Sequence, residues 1–421
     1  MGPVSGRKVM ERSRTSSVQG GIALAVGVLL LGAHPGWAAD CSVTSIGFVP
    51  INDLGPALYL GQYQGGLYPG GSNSPPPAHF AEGRARALAI RPLDALGNPD
   101  PSGRIVLMSV GYSNATQEWC NGPPVNCQSW TFKGRADADS RVNHVTLDIV
   151  NGAKGGEPAP NWDEPTDANY DRILNQVLTP QGLTEAQVQI IWLKLTTSGP
   201  TISLPNSNAE AFQLVGLLAD IVRTFRIRYP NIRMVFVSSR IYAGYAGYPV
   251  PMSGAHPEPY AYESGFSVKW LVQAQINQMA TGAIDPLAGD LDSDTVAPFL
   301  AWGPYFWADG ESPRSDGLQY FCSDIQPDGL HPAQGAQSKV GQMLHEFMLT
   351  SRFATPWFRR CELGDMNRDG LFNGRDVQLF VETFLDPAAA PASRRCPADC
   401  SDDGTINAPD LDTFISIMLG G

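Results

Sequence analysis

Long apolar runs are nearly absent from this 421-residue chain. The one run that stands out, "GGIALAVGVLLLGA" at 20–33, is too short and too near the terminus to argue for a stable membrane span. Basic residues are also scarce, 29 Lys and Arg against 41 Asp and Glu, for a net charge of −12. Such an acidic surface argues against nucleic acid or an anionic membrane as a partner. Histidine is rarer still, with six in the chain, so any site that needs a general base has few to choose from. At 43% hydrophobic and 17% charged residues, with 44 Gly and 35 Pro, the composition suits a loop-rich globular protein rather than a disordered or coiled-coil one.

Arg7, Lys8, Arg12 and Arg14 precede the early apolar run and "GWAA" follows it, so residues 1–39 read as an export signal. Without that segment 25 basic and 40 acidic residues remain, a net charge of −15. The expected product is extracellular, secreted or held at the cell surface. All seven cysteines lie beyond residue 39, where disulfides can form. Cys120 and Cys127 bracket the turn-rich "NGPPVN", Cys361 can pair with Cys396 or Cys400, and an odd number leaves one thiol over.

Beyond residue 40, β-prone runs alternate with helical periodicity. Strands are expected at 104–110, 145–150, 187–195 and 232–238, with a weaker candidate at 298–303. Helices are expected at 207–228, capped by Ser207 or Asn208, and at 261–280 and 333–349. This alternation implies a parallel sheet and a three-layer α/β domain over residues 40–355, with ligands bound beyond the carboxyl ends of the strands. Two irregular stretches, 60–102 and 240–260, are long enough to form the rim of a cleft. The tyrosines of "SSRIYAGYAGYP" (238–249) and "PEPYAYESGFSVKW" (257–270), and the aromatics of "AWGPYFWADG" (301–310), either line a sugar-binding cleft or pack the loops.

The first strand ends in Gly111, Tyr112, Ser113 and Asn114, which puts a serine where ligands bind. A serine nucleophile needs a base, usually a histidine oriented by a carboxylate. Past the leader the histidines are His79, His144, His256, His331 and His345, and only His331, in "DGLHPAQG", has a carboxylate placed by spacing, Asp328. The sequon "NAT" at 114–116 is expected to be tucked into the fold and free of glycan.

A boundary is expected near 355–361. After it, "DMNRDGLFNGRD" (365–376) and "DCSDDGTINAPD" (399–410) repeat at an offset of 34 residues, each followed by one amphipathic helical face. Calcium takes six to eight oxygens, and such acidic loops supply them. The first offers Asp365, Asn367, Asp369, the Leu371 carbonyl, Asn373 and Asp376, with Gly370 at the turn. The second offers Asp399, Ser401, Asp403, the Thr405 carbonyl, Asn407 and Asp410, with Gly404 at the turn. Two such loops, each with one helix, resemble a dockerin domain over 361–421. That resemblance implies two structural calcium ions and a cohesin-like protein partner.

The early Ser113 with the late Asp328-x-x-His331 resembles the SGNH (GDSL-like) hydrolases, a flavodoxin-like fold. "GYSN" is similar to the Gly-Gln-Ser-Asn of sialate O-acetylesterase-like and acetylxylan-esterase-like carbohydrate esterases. The resemblance implies Ser113 as nucleophile, His331 as base and Asp328 as its orienter, with no catalytic cofactor. It also implies an oxyanion donor in the loop after the second strand, where Gly156 is the choice with Gly155 beside it, and the Ser113 N–H as a second. The family's Asn-bearing loop after the third strand is missing. Lys194 in "IIWLKLTTSG" either substitutes as a donor or pairs with a surface acid. The implied activity is removal of O-acetyl or similar acyl groups from polysaccharide. The competing reading is a non-catalytic carbohydrate-binding or scaffold-associated protein on the same fold.

Overall fold

A computed structural model describes residues 38–122, 126–248, 256–369 and 371–419. The expected leader (except its last two residues), Gly370 and parts of the 121–126 and 240–260 loops lie outside the described residues. The described residues form one compact unit.

Five strands make a wholly parallel sheet: β1 (Ile105–Gly111), β2 (Leu147–Asn151), β3 (Val188–Lys194), β4 (Met234–Val237) and β5 (Phe299–Trp302), in the order β2-β1-β3-β4-β5. Each falls within two residues of an expected strand. Every residue of β1, β3, β4 and β5 is buried, as a parallel sheet covered on both faces requires. The order reverses at β1, so the crossover from β1 to β2 runs one way and those from β3 to β5 the other. Right-handed crossovers then put their helices on opposite faces and open a crevice between the carboxyl ends of β1 and β3.

The helices that cover the sheet are α1 (Pro77–Ala89), α2 (Ser113–Trp119), α3 (Glu210–Arg228), α4 (Tyr260–Thr281) and α5 (Gln334–Thr350). α3 packs on α4, and α5 packs on α2. Neither expected cap opens α3. Its N-cap is Ala209, because residues 206–209 form a turn in which Ala209 N–H donates to the Asn206 carbonyl, and the Ile202 carbonyl takes the Glu210 N–H. Segment 60–102 carries α1, which packs against β4 and β5.

The aromatic-rich stretches are packing. Tyr242, Tyr245 and Tyr262 are buried, and their hydroxyls donate to the carbonyls of Val43, Tyr320 and Val49. Tyr305, Phe306 and Trp307 belong to the same core. Disulfides join Cys41 to Cys322, Cys120 to Cys127 and Cys361 to Cys396, and Cys400 is left as a buried free thiol.

Thr355–Phe358 is a helical turn whose Trp357 and Phe358 lie in the main core, so the sheet domain runs past residue 355. Beyond it, α6 (Val377–Leu385) and α7 (Ala408–Met418) share a small core in which Phe380 stacks on Phe414 with ring centres 3.9 Å apart. Asp402 pairs with Arg359 at 2.8 Å and Arg141 at 3.5 Å, so the second acidic loop is anchored to the sheet domain.

Candidate active site

Backbone geometry at the end of β1 sets the position of Ser113. A side chain at Gly111 would collide with Ala115 and the Lys194 carbonyl, so only glycine lets α2 start this close to the sheet. Tyr112 is extended, and Ser113 is the first residue of α2. Its N–H therefore has no acceptor within the helix and faces outward from the first turn.

The histidine arrives on the turn before α5. Gly329 takes φ +71°, and a Cβ there would strike the Tyr245 carbonyl. That tight turn lets Asp328 grip its own loop: Oδ1 accepts the N–H groups of Leu330 (2.9 Å) and His331 (3.0 Å), and Oδ2 lies 2.6 Å from His331 Nδ1. A carboxylate only accepts, so Nδ1 carries the proton and Nε2 offers its lone pair. Nε2 lies 2.8 Å from Ser113 Oγ. Burial alone would raise the Asp328 carboxyl, but the bonds from His331 and Leu330 outweigh it and hold it below the usual range. Asn114 ties the two halves together by donating to the Leu330 carbonyl at 3.3 Å, and it is buried, as expected for the sequon. Gln337 of α5 holds the Pro332 carbonyl at 2.8 Å.

These groups open on a cavity of about 300 Å³, lined by Tyr112, Ser113, Gly156, Thr197, Arg240, His256 and His331 among others. Gly156 is on that wall, and Gly155 approaches so closely that a Cβ there would lie 3.6 Å from Ser113 Cβ. Lys194 is not at the cavity. It is 1% exposed and its Nζ lies 2.6 Å from both carboxylate oxygens of Glu118, which is itself 0% exposed. The expected surface acid is thus a fully buried one on α2, and Lys194 is spent on it rather than free to hold an oxyanion. Burial pushes the Glu118 carboxyl up and the Lys194 ammonium down, each against the pull of the other. His256 was not singled out from the sequence. A histidine remote from any strand end carries no local signal of a place in the cleft.

The two acidic loops fold alike. In the first, Asp376 accepts the N–H groups of Met366 and Asn373, and in the second Asp410 accepts those of Ser401 and Asn407. Arg368 and Asp402 occupy equivalent left-handed positions, both at φ 60°. In the second loop, carboxylate oxygens of Asp399, Asp403 and Asp410 lie within 4.8 Å of one another. Ser401 Oγ and Asn407 Oδ1 are buried beside them with no hydrogen-bond partner among the described residues. Burial, with Asp410 adding to it, pushes the Asp399 carboxyl up. Three carboxylates drawn this close, with no Lys or Arg among the three, suit a hard cation. In the first loop Asp365 and Asp376 are buried, while Asn367 Nδ2 donates to Asp369 at 3.1 Å. Asn373 Nδ2 is 3.4 Å from the Leu371 carbonyl. Thr405 donates its hydroxyl to Asp403 at 2.7 Å.

No family model matches the chain, and no curated protein matches it. Among solved structures, it is similar to a carbohydrate esterase family 2 enzyme with a carbohydrate-binding domain from Corynascus thermopiles (Myceliophthora fergusii), at 10% identity over 59% of this chain and 67% of that one, TM-score 0.30. It is also similar to the salicylyl-acyltransferase SsfX3 from a tetracycline biosynthetic pathway, at 13% identity, 59% and 54% coverage and TM-score 0.28. A third is phospholipase A1 from Streptomyces albidoflavus, at 11% identity, 57% and 97% coverage and TM-score 0.26. The chain thus spans about half of the acyltransferase.

Proposed function

We propose that the protein is a serine esterase that removes O-acetyl or similar acyl groups from polysaccharide. One observation carries this reading: the unbroken hydrogen-bond chain from Ser113 Oγ through His331 to Asp328, opening on a cavity at the crevice of the sheet. Ser113 attacks the ester carbonyl while His331 takes its proton and returns it to the departing alcohol. The N–H groups of Ser113 and Gly156 hold the tetrahedral oxyanion, and water then releases the acyl group from the serine. Asp328 fixes the tautomer and supports the imidazolium.

The test is acetate release from acetylated xylan and from a small aryl acetate. Asp328→Asn is expected to keep its loop but lower kcat by about 10⁴-fold, because the ring loses the acceptor that sets its tautomer. Equal rates for this variant and the wild type would remove Asp328 as the group that sets the His331 tautomer. No release from any ester would favour the non-catalytic, carbohydrate-binding reading.

We propose further that the two acidic loops bind calcium as a dockerin-like module that docks on a cohesin-like partner. The ligands would be Asp365, Asn367, Asp369, Leu371, Asn373 and Asp376 in one loop, and Asp399, Ser401, Asp403, Thr405, Asn407 and Asp410 in the other. The orphaned Ser401 and Asn407 oxygens support the second site. Calcium at a hundredfold above its Kd should stabilise the protein by about 2.7 kcal/mol for each loop it occupies, read as a rise in Tm that EDTA reverses. Asp410→Ala should reduce that rise, and a Tm indifferent to calcium and EDTA would contradict the proposal.

A further inference from the structure

Arg240 follows β4 by three residues, on the wall of the cavity that holds Ser113 and His331. It is 1% exposed, and its guanidinium lies over the Tyr112 ring, 5.3 Å from the ring centre. Nη1 donates to the Tyr112 hydroxyl. Nε and Nη2 are buried and have no acceptor among the described residues. A desolvated cation with three of its five N–H donors on atoms without an acceptor is costly, by several kcal/mol, unless something pairs with it.

The unused pair is the edge on which two N–H groups point in parallel and grip a carboxylate with two bonds. The same edge is filled in three other arginines of this chain. Arg141 places Nε 3.0 Å and Nη2 2.7 Å from the two oxygens of Asp139. Arg314 places them 2.9 Å and 2.6 Å from those of Asp316. Arg104 holds Asp148 with the same two atoms. Only in Arg240, of these four, is that edge without its carboxylate.

Neighbouring acids do not fill the gap. Glu118 is taken by Lys194. Glu210 accepts at Oε1 from Thr197 (2.6 Å) and His256 (3.1 Å), and its buried Oε2 has no partner among the described residues, so it does not bond Arg240. Glu258 accepts from the Ala243 and Tyr262 N–H groups and the Trp307 indole. His256, buried on the same wall, is held toward its neutral form by burial, with Glu210 pulling the other way. With Nε2–H on Glu210, its Nδ1, which has no hydrogen-bond partner among the described residues, is left as an acceptor for a ligand hydroxyl.

We infer that the substrate carries a carboxylate close to its scissile ester, and that Arg240 binds it through Nε and Nη2, with His256 Nδ1 accepting from an adjacent hydroxyl. This rests on the esterase reading for the identity of the reaction, but not for the binding. The carboxylate can belong to the sugar, as in an acylated uronic acid, or to the acyl group, as in a half-ester of a diacid.

The experiment measures how glucuronate, succinate and glucose slow the labelling of the full chain by a neutral alkyl fluorophosphonate, in wild type, Arg240→Gln and Arg240→Lys. In the wild type, glucuronate (a sugar carboxylate) or succinate (an acyl carboxylate) should protect at about 10- to 100-fold lower concentration than glucose, the scale of a charge-assisted pair. In Arg240→Gln that preference should fall to about one, and Arg240→Lys, which keeps the charge but not the two-bond edge, should lie between. Equal protection by all three compounds, or a preference that survives Arg240→Gln, would overturn the inference. If Ser113 does not label, the esterase reading fails, and the rise in Tm of the wild type with glucuronate or succinate against glucose tests Arg240 by itself. A Tm equally indifferent to all three compounds then overturns it, and the same comparison decides the matter if Arg240→Gln does not fold.

Discussion

Ser113→Ala is expected to lower ester hydrolysis by about 10⁴- to 10⁶-fold, the range seen when a serine nucleophile is removed. The protein should nevertheless stay folded. Ser113 is only partly buried and its hydroxyl makes one side-chain hydrogen bond, to His331. Such a bond contributes about 0.5–1.5 kcal/mol, and here water entering the cavity can replace it at Nε2. The Asp328 grip on the His331 loop does not pass through the serine, so base and orienter stay in place. Turnover of an aryl acetate beside urea unfolding separates the two effects. A large loss of rate with an unchanged unfolding midpoint is the expected pair. An unchanged rate would exclude Ser113 as nucleophile.

Lys194→Met should be the most destabilising of the substitutions named here, at about 3–5 kcal/mol. Removing the ammonium leaves Glu118 fully buried without the cation that both its oxygens face. Glu118 lies on α2, the helix that Ser113 begins, and Lys194 ends β3 opposite Gly111. Their pair therefore fixes the serine helix to the neighbouring strand, and activity should fall along with stability. Adding Glu118→Leu to Lys194→Met should recover most of the stability, because a neutral apolar pair no longer carries an uncompensated charge. The double-mutant cycle is read by denaturant unfolding. A cost below about 1 kcal/mol for the single variant, the scale of an exposed ion pair, would mean that water reaches Glu118.

Short-range chemistry was the legible part of this chain. Buried strands announce themselves as mostly apolar runs, and β1, β3 and β4 do so from Ile105, Val188 and Met234 onward, interrupted by Ser109 in β1 and by Gln189 in β3. Asp328 and His331 could be read because three residues of spacing bring them to one turn. Long-range pairing was not legible. Lys194 meets Glu118 across 76 residues, and nothing near either position tells that both are buried. Arg240 finds Tyr112 across 128 residues, so its unfilled edge emerges only once the sheet order is known. The tyrosines of 238–249 and 257–270 left cleft and packing open, and packing prevails at Tyr242 and Tyr262 because carbonyls near residue 45, far back in the chain, receive their hydroxyls. The cap of α3 was missed for a related reason: a turn at 206–209 supplies from its backbone what Ser207 or Asn208 would have given from a side chain.

The central claim is that Ser113 is made nucleophilic by His331. Its most direct test is to treat the full chain with an alkyl fluorophosphonate and locate the adduct by peptide mass spectrometry, in wild type, Ser113→Ala and His331→Ala. A single adduct on Ser113, absent in Ser113→Ala and formed far more slowly in His331→Ala, is the predicted result. No adduct in the wild type, or labelling of Ser113 at the same rate in His331→Ala, would contradict it.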